Sequence, residues 1–131
     1  MTDRVNTYVL ENGPRNYVVR FTNESDGTGE SAVTKVDIST LTGPDVNVAP
    51  TTLAIKEVQA NVEGMNYVTV FYDATSDDEA LVIPAGSYYK VFDPAFNDPK
   101  STGYTGDIKL TTDGAIDGGA YDITIKFVKK Q

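Results

Sequence analysis

DIKLTTDGAIDGGAYDITIKFVKK, residues 107–130, is the stretch from which the rest of the chain can be read. Its side chains alternate. Ile108 and Leu110 fall on one face and Asp107 and Lys109 on the other. Beyond the glycines, Tyr121, Ile123, Ile125 and Phe127 share a face, with Asp122, Thr124 and Lys126 opposite, until Val128 breaks the rule. Asp113-Gly114 and Asp117-Gly118-Gly119 tolerate positive φ, so the stretch reads as a β-hairpin. Strands that alternate this cleanly are half buried. They cover a core, and the upstream chain must supply the opposite wall.

Working outward, Arg4–Leu10 reads as a short edge strand, turned by Asn12-Gly13-Pro14. Arg15–Thr22 follows, with Tyr17, Val19 and Phe21 inward and Asn16, Arg20 and Thr22 outward. Ser31–Ile38 is a third strand, and the polar loop Asn23–Glu30 has the length that pairs strands two and three as a hairpin. Ser39–Thr52, with Pro44 and Pro50 barring ladder bonds, is a crossover from one sheet to another. Leu53–Glu63 changes phase. Leu53 and Ile55 share one parity while Val58, Ala60 and Val62 share the other, which predicts a β-bulge at Lys56-Glu57.

Tyr67–Asp73 is apolar on both parities and reads as a central strand. Ala74–Ala80 is an acidic loop, and Leu81–Pro84 and Ser87–Phe92 are short strands broken at Pro84-Ala85-Gly86. Asp93–Gly106 is a second long irregular loop carrying Phe96 and Tyr104. No stretch holds a helical period over ten or more residues. About eight or nine short strands between Gly, Pro and Asp turns imply one domain, residues 1–131, folded as an antiparallel β-sandwich, jelly-roll-like.

Composition narrows the chemistry. The chain has no His, Cys or Trp, which excludes Ser–His–Asp and Cys–His catalysis and zinc sites built on imidazole or thiolate. The formal charge is −8, and residues 23–100 carry thirteen acidic against four basic side chains. A nucleic-acid binder needs the reverse, a basic footprint that displaces counterions. The first residues contain no apolar run long enough for a signal peptide or a membrane span. The expectation is therefore no nucleic acid, no membrane, no cofactor and no enzymatic activity.

Two acidic groups invite a metal or catalytic reading. NESDGTGE, residues 23–30, crowds oxygen ligands on a Gly-rich turn, but Thr22 and Val33 stand where an EF-hand needs Asp and Glu. The expectation is a hairpin loop with Gly for positive φ. Asp77, Asp78 and Glu79 are adjacent acids, and neighbours in a loop point apart instead of facing one another across a cleft. No catalytic residue and no metal ligand is assigned.

Aromatics are more informative. Tyr88-Tyr89 sends one ring to each face of a short strand, one to the core and one to the surface. Phe96 and Tyr104 either plug the open end of the sandwich or anchor a partner, with the loop acids as a polar rim. Phe96, Tyr104, Tyr88 and Tyr89 are the candidate interface residues. A sugar-binding platform is a further option, weakened by the absence of Trp.

RFTNESDGTGESAVTKVDISTLTGPD (residues 20–45) and TGDIKLTTDGAIDGGAYDITIKFVKK (residues 105–130) together resemble small structural proteins of tailed bacteriophages, of the capsid decoration (cement) type. The resemblance implies a compact β fold that sits on the assembled shell of the virion as an oligomer, a trimer over a dimer, and bridges major capsid protein subunits. It implies synthesis in the host cytoplasm and a final place on the capsid surface. The motifs record turns and strands, so no site residue is carried over. The alternative is a carbohydrate- or receptor-binding β-sandwich module of a head fibre or tail.

Overall fold

The computed structural model describes residues 4–13, 15–27, 29–41 and 50–130. Among these, the alternating segments form seven strands: β1 (Arg4–Asn12), β2 (Asn16–Asp26), β3 (Val33–Val36), β4 (Thr52–Tyr72), β5 (Asp78–Phe96), β6 (Ile108–Asp113) and β7 (Asp117–Lys130). Every strand pairing is antiparallel. The protein is an antiparallel β-sandwich in which β4 and β5 belong to both layers. Both bend at one corner. Val62 pairs with Gly86 and Tyr67 with Pro84, so residues 63–66 of β4 stand against Ala85 alone.

The bend separates a wide layer from a narrow one. The wide layer runs β1, β2, β7, the first half of β4 and the second half of β5. The narrow layer runs β3, β6, the second half of β4 and the first half of β5. Counting each half of the two bent strands separately recovers the eight or nine short segments expected. Tyr17, Val19, Phe21, Ile123, Ile125 and Phe127 from the wide layer meet Val68, Val70, Tyr72, Ile83, Ile108 and Leu110 from the narrow one in a single buried core. These inward sets in β2 and β7 are the ones that the sequence alternation assigns.

The bulge is present. Register shifts between Ile55 and Glu57 against both β5 and β7, Lys56 is exposed, and the buried parity moves from Leu53 and Ile55 to Val58, Ala60 and Val62. Among the described residues β1 pairs with β2 alone, as an edge strand should, and Tyr67–Tyr72 lies centrally between β5 and β6. The acidic loop is shorter than expected: the strand β5 begins at Asp78, and residues 73–77 turn β4 into β5. Most of the 39–52 crossover falls outside the described residues. Its flanks, β3 and the start of β4, do lie in different layers.

Two expected hairpins are replaced by something else. Residues 107–130 do not reverse. β6 and β7 lie end to end along the same edge of β4, with Ile108 to Asp113 paired to Tyr72 to Tyr67, and Ala120 to Lys130 paired to Glu63 to Thr52. Gly114 and Gly118 do take positive φ, 66° and 87°, but the loop uses it to step over the corner of β4. There Ile116 N–H donates to the Gly64 carbonyl at 3.1 Å, and Asn66 Nδ2 donates to Asp113 Oδ2 at 3.0 Å. A Cβ on Gly64, at φ +69°, would stand 2.6 Å from the Gly119 Cα, so the crossing needs glycine.

Strands two and three do not pair either. β2 lies between β1 and β7, whereas β3 pairs with β6 in the other layer. The segment between them is therefore no hairpin loop. β2 continues to Asp26, and Glu30 is buried where the chain changes layers. Its backbone N–H donates to Thr112 Oγ1 at 2.8 Å, and its carbonyl accepts from Thr112 N–H at 3.0 Å. Its carboxylate accepts from Lys35 Nζ and from the Tyr121 hydroxyl. The Lys35 and Glu30 side chains are 3% and 5% exposed, a buried ion pair that ties β3 and β7 to the crossing.

Candidate functional site

The four sequence-assigned interface residues are not brought together. Tyr88 is half buried against the core and Tyr89 is 62% exposed, the division expected of neighbours on one strand. Phe96 lies at the end of strand β5 and not in a loop. Its ring stacks on Tyr72 at 6.1 Å, and its carbonyl accepts the Tyr72 hydroxyl at 3.0 Å. It is a packing residue. Tyr104 is exposed on a separate turn, held by its N–H to the Ser101 carbonyl at 3.0 Å.

Nor do the three adjacent acids converge. Asp77 caps the turn at Ala74 N and lies 3.4 Å from Lys109, Asp78 accepts from Ser101 Oγ at 2.9 Å, and Glu79 is exposed. Among the described residues no group of three or more acids is placed to hold a metal ion. Lys109 sits closer to Asp73, at 2.6 Å, and that hydrogen bond holds the Asp73 carboxyl below its ordinary range.

Asp98 is the unusual acid. It is 5% exposed, its Oδ1 accepts from Lys100 N–H at 2.8 Å, and its buried Oδ2 has no hydrogen-bond partner among the described residues. Burial first, and repulsion from Asp78 second, raise its pKa. Between the unfolded value, about 3.9, and the raised folded value, the folded state binds more protons, so stability falls as pH rises through that window. Asp98→Asn is expected to stabilise the protein at neutral pH by on the order of 1 kcal/mol, and to flatten that part of the pH profile. Urea denaturation at several pH values checks it. Stabilisation of the wild type by calcium, abolished in the variant, would instead assign the acid to a cation.

A more extensive constellation covers the outer face of the wide layer. Strand register lines up Tyr8, Arg20, Thr124, Gln59 and Tyr89 in one row across β1, β2, β7, β4 and β5. Asn6, Thr22, Asp122, Asn61 and Ser87 form the adjacent row. These are the outward positions of strands whose inward positions build the core. Three shallow depressions of about 380, 230 and 130 Å³ mark this face, beside Tyr8 and Arg20, beside Asn61 and Tyr89, and over Thr124 and Lys126 between them.

The side chains of the face are held in place. Arg20 grips Asp122 with two parallel bonds, Nε to Oδ1 at 2.9 Å and Nη2 to Oδ2 at 2.7 Å, and these bonds keep the Asp122 carboxyl below its ordinary range. The same guanidinium lies 5.5 Å from the centre of the Tyr8 ring. Tyr89 donates its hydroxyl to Glu57 Oε1 at 2.6 Å, which raises the phenol's pKa. Ser87 Oγ donates to Asn61 Oδ1 at 2.8 Å. Of this set the sequence reading singled out Tyr89 alone. The outward alternation of Arg20, Thr22, Asp122 and Thr124 was visible, but which strands are neighbours was not.

No known family profile and no curated protein matches the chain. Among solved structures it is similar to a family 29 carbohydrate-binding module at 9% identity, with 95% of this chain and 88% of that chain covered and a TM-score of 0.42. Variants of a family 29 module complexed with cellulohexaose (9% identity, TM-score 0.42, 95% and 91% covered) and with mannohexaose (8% identity, TM-score 0.43, 97% and 94% covered) are similarly distant.

Proposed function

We propose that the chain is a structural protein of a tailed-bacteriophage virion, a decoration (cement) protein that binds the assembled shell and bridges major capsid subunits. The observation that carries this reading joins sequence to fold. The two stretches that resemble such proteins, residues 20–45 and 105–130, are far apart in the chain, and their described strands are neighbours in space. β2 pairs with β7, β3 pairs with β6, and Glu30 bonds to Thr112 and Tyr121 across them. The resemblance therefore follows one packed unit and not two unrelated turn patterns.

The docking element in this reading is β1. On this edge strand Val5, Val9 and Leu10 are exposed, Val9 and Leu10 by 54% and 58%. An edge strand of nine residues with an exposed Val9-Leu10 pair is a template for pairing with another chain. The partners are the major capsid protein and further copies of this chain, in a trimer, at the capsid surface of the virion after synthesis in the host cytoplasm.

The test mixes purified protein with undecorated shells and measures occupancy by co-sedimentation. Saturable binding at a fixed ratio is expected, and Val9→Asp/Leu10→Asp should lower occupancy with circular dichroism unchanged. A wild type that leaves the shells bare overturns the reading. The second reading, a carbohydrate- or receptor-binding module of a head fibre or tail, is favoured by one observation: the polar outer face of the wide layer with an exposed tyrosine at each end.

A further inference from the structure

We infer that the outer face of the wide layer is a binding site for a neutral oligosaccharide chain lying across the strands from Tyr8 to Tyr89. This deepens the second reading above, and it holds whether or not the chain also docks on a shell through β1. The two rings end one cross-strand row, four interstrand spacings apart, about 19 Å. That is the reach of a short oligosaccharide and too long for a single sugar.

The distribution of polarity selects the ligand. A protein-binding surface has apolar anchors at its centre and a polar rim. This face has the reverse plan. Its centre is Thr22, Thr124, Gln59 and Asn61, hydroxyls and amides that donate and accept equally well, and its aromatics stand at the ends. Such groups match the hydroxyls of a sugar, and a tyrosine ring offers an apolar plane to the C–H face of a pyranose. Charge points the same way. In the two central rows the charged residues are Arg20 and Asp122, and they neutralise one another through paired bonds. Within those two rows the formal charges cancel.

Both ends are organised before any ligand arrives. Tyr8 is steadied by the Arg20 guanidinium and Tyr89 by Glu57, so little side-chain freedom is lost on binding. Sheet twist adds a selectivity. Adjacent strands rotate by about 20–25°, so rings at opposite edges of five strands are far from coplanar. The face therefore suits a single soluble chain that can follow the twist, and disfavours the flat surface of a crystalline polysaccharide.

The experiment is affinity electrophoresis of the full chain in gels containing hydroxyethylcellulose, galactomannan, arabinoxylan or dextran, with polygalacturonate as the charged comparison. Retardation by at least one neutral polymer is expected, with the apparent Kd at least tenfold weaker for Tyr8→Ala and for Tyr89→Ala. Tyr89→Phe should retain most of the binding, because the ring and not the hydroxyl carries the contact. Both tyrosines are exposed, so the alanine variants keep the wild-type circular dichroism spectrum. No retardation by any neutral polymer overturns the site, as does retardation that survives Tyr8→Ala/Tyr89→Ala or appears with polygalacturonate alone. Loss of shell occupancy in the double variant, without glycan binding by the wild type, would make the face a protein dock and overturn the sugar reading while leaving decoration intact.

Discussion

Lys35→Met is expected to lower the unfolding free energy by about 3–5 kcal/mol, because it strands the Glu30 carboxylate in the protein interior. Both side chains of this pair are at most 5% exposed, so solvent cannot replace the missing cation at Glu30. The Tyr121 hydroxyl still donates to Glu30 Oε1, but one neutral donor does not offset a buried charge. Adding Glu30→Gln should restore most of the loss, since an amide keeps a polar partner for Tyr121 and carries no charge. Urea denaturation of the wild type, both single variants and the double variant closes the cycle. A loss below about 1 kcal/mol for Lys35→Met would mean that the pair is hydrated and contributes as little as a surface bridge.

Phe127→Ala should cost a similar amount, about 3–5 kcal/mol, by a different cause. The side chain is fully buried, pairs in register with Tyr17 on one side and Ile55 on the other, and stacks on the Tyr17 ring at 6.3 Å. Its neighbours belong to three strands locked by two ladders, so they are poorly placed to collapse into the space left behind. Denaturation should show a lower midpoint with the slope unchanged. A conserved midpoint would mean that the site had repacked.

The fold was legible in the sequence wherever the information was local. Parity alone located the bulge at Lys56-Glu57, because Ile55 and Val58 cannot both face one core on an unbroken strand. Parity also divided Tyr88 from Tyr89 and chose the inward residues of β2 and β7. Pairing was another matter. Gly114 and Gly118 announce positive φ, but positive φ serves a reversal and a step over a corner equally well, and Gly64, fifty residues upstream, decides which. Glu30 and Lys35 were hidden for a related reason. A polar residue in a Gly-rich segment reads as solvated until the strand that covers it, here β7 with Tyr121, is known to lie there.

The candidate face was half legible. Its residues are the outward halves of alternating strands, each visible separately, and the row from Tyr8 to Tyr89 exists only after five strands are set side by side. Phe96 misled in the opposite sense. Asp93-Pro94 ahead of it suggested a loop, but β5 continues through it to Phe96, which stacks on the Tyr72 ring at the margin of the core.

The end-to-end placement of β6 and β7 has a consequence for how the protein is made. On the ribosome, the N-terminal residues emerge first. From them β1 and β2 can join, but the inner neighbour of β2 is β7, and the neighbour of β3 is β6. The β4–β5 hairpin can close early on its short turn, yet it too waits for the same two strands along its other edge. Neither layer is complete until residues 108–130 leave the exit tunnel. A nascent chain halted before them would present open apolar edges on β2 and β4, and the emergence of residues 108–130 becomes the event that seals both layers together.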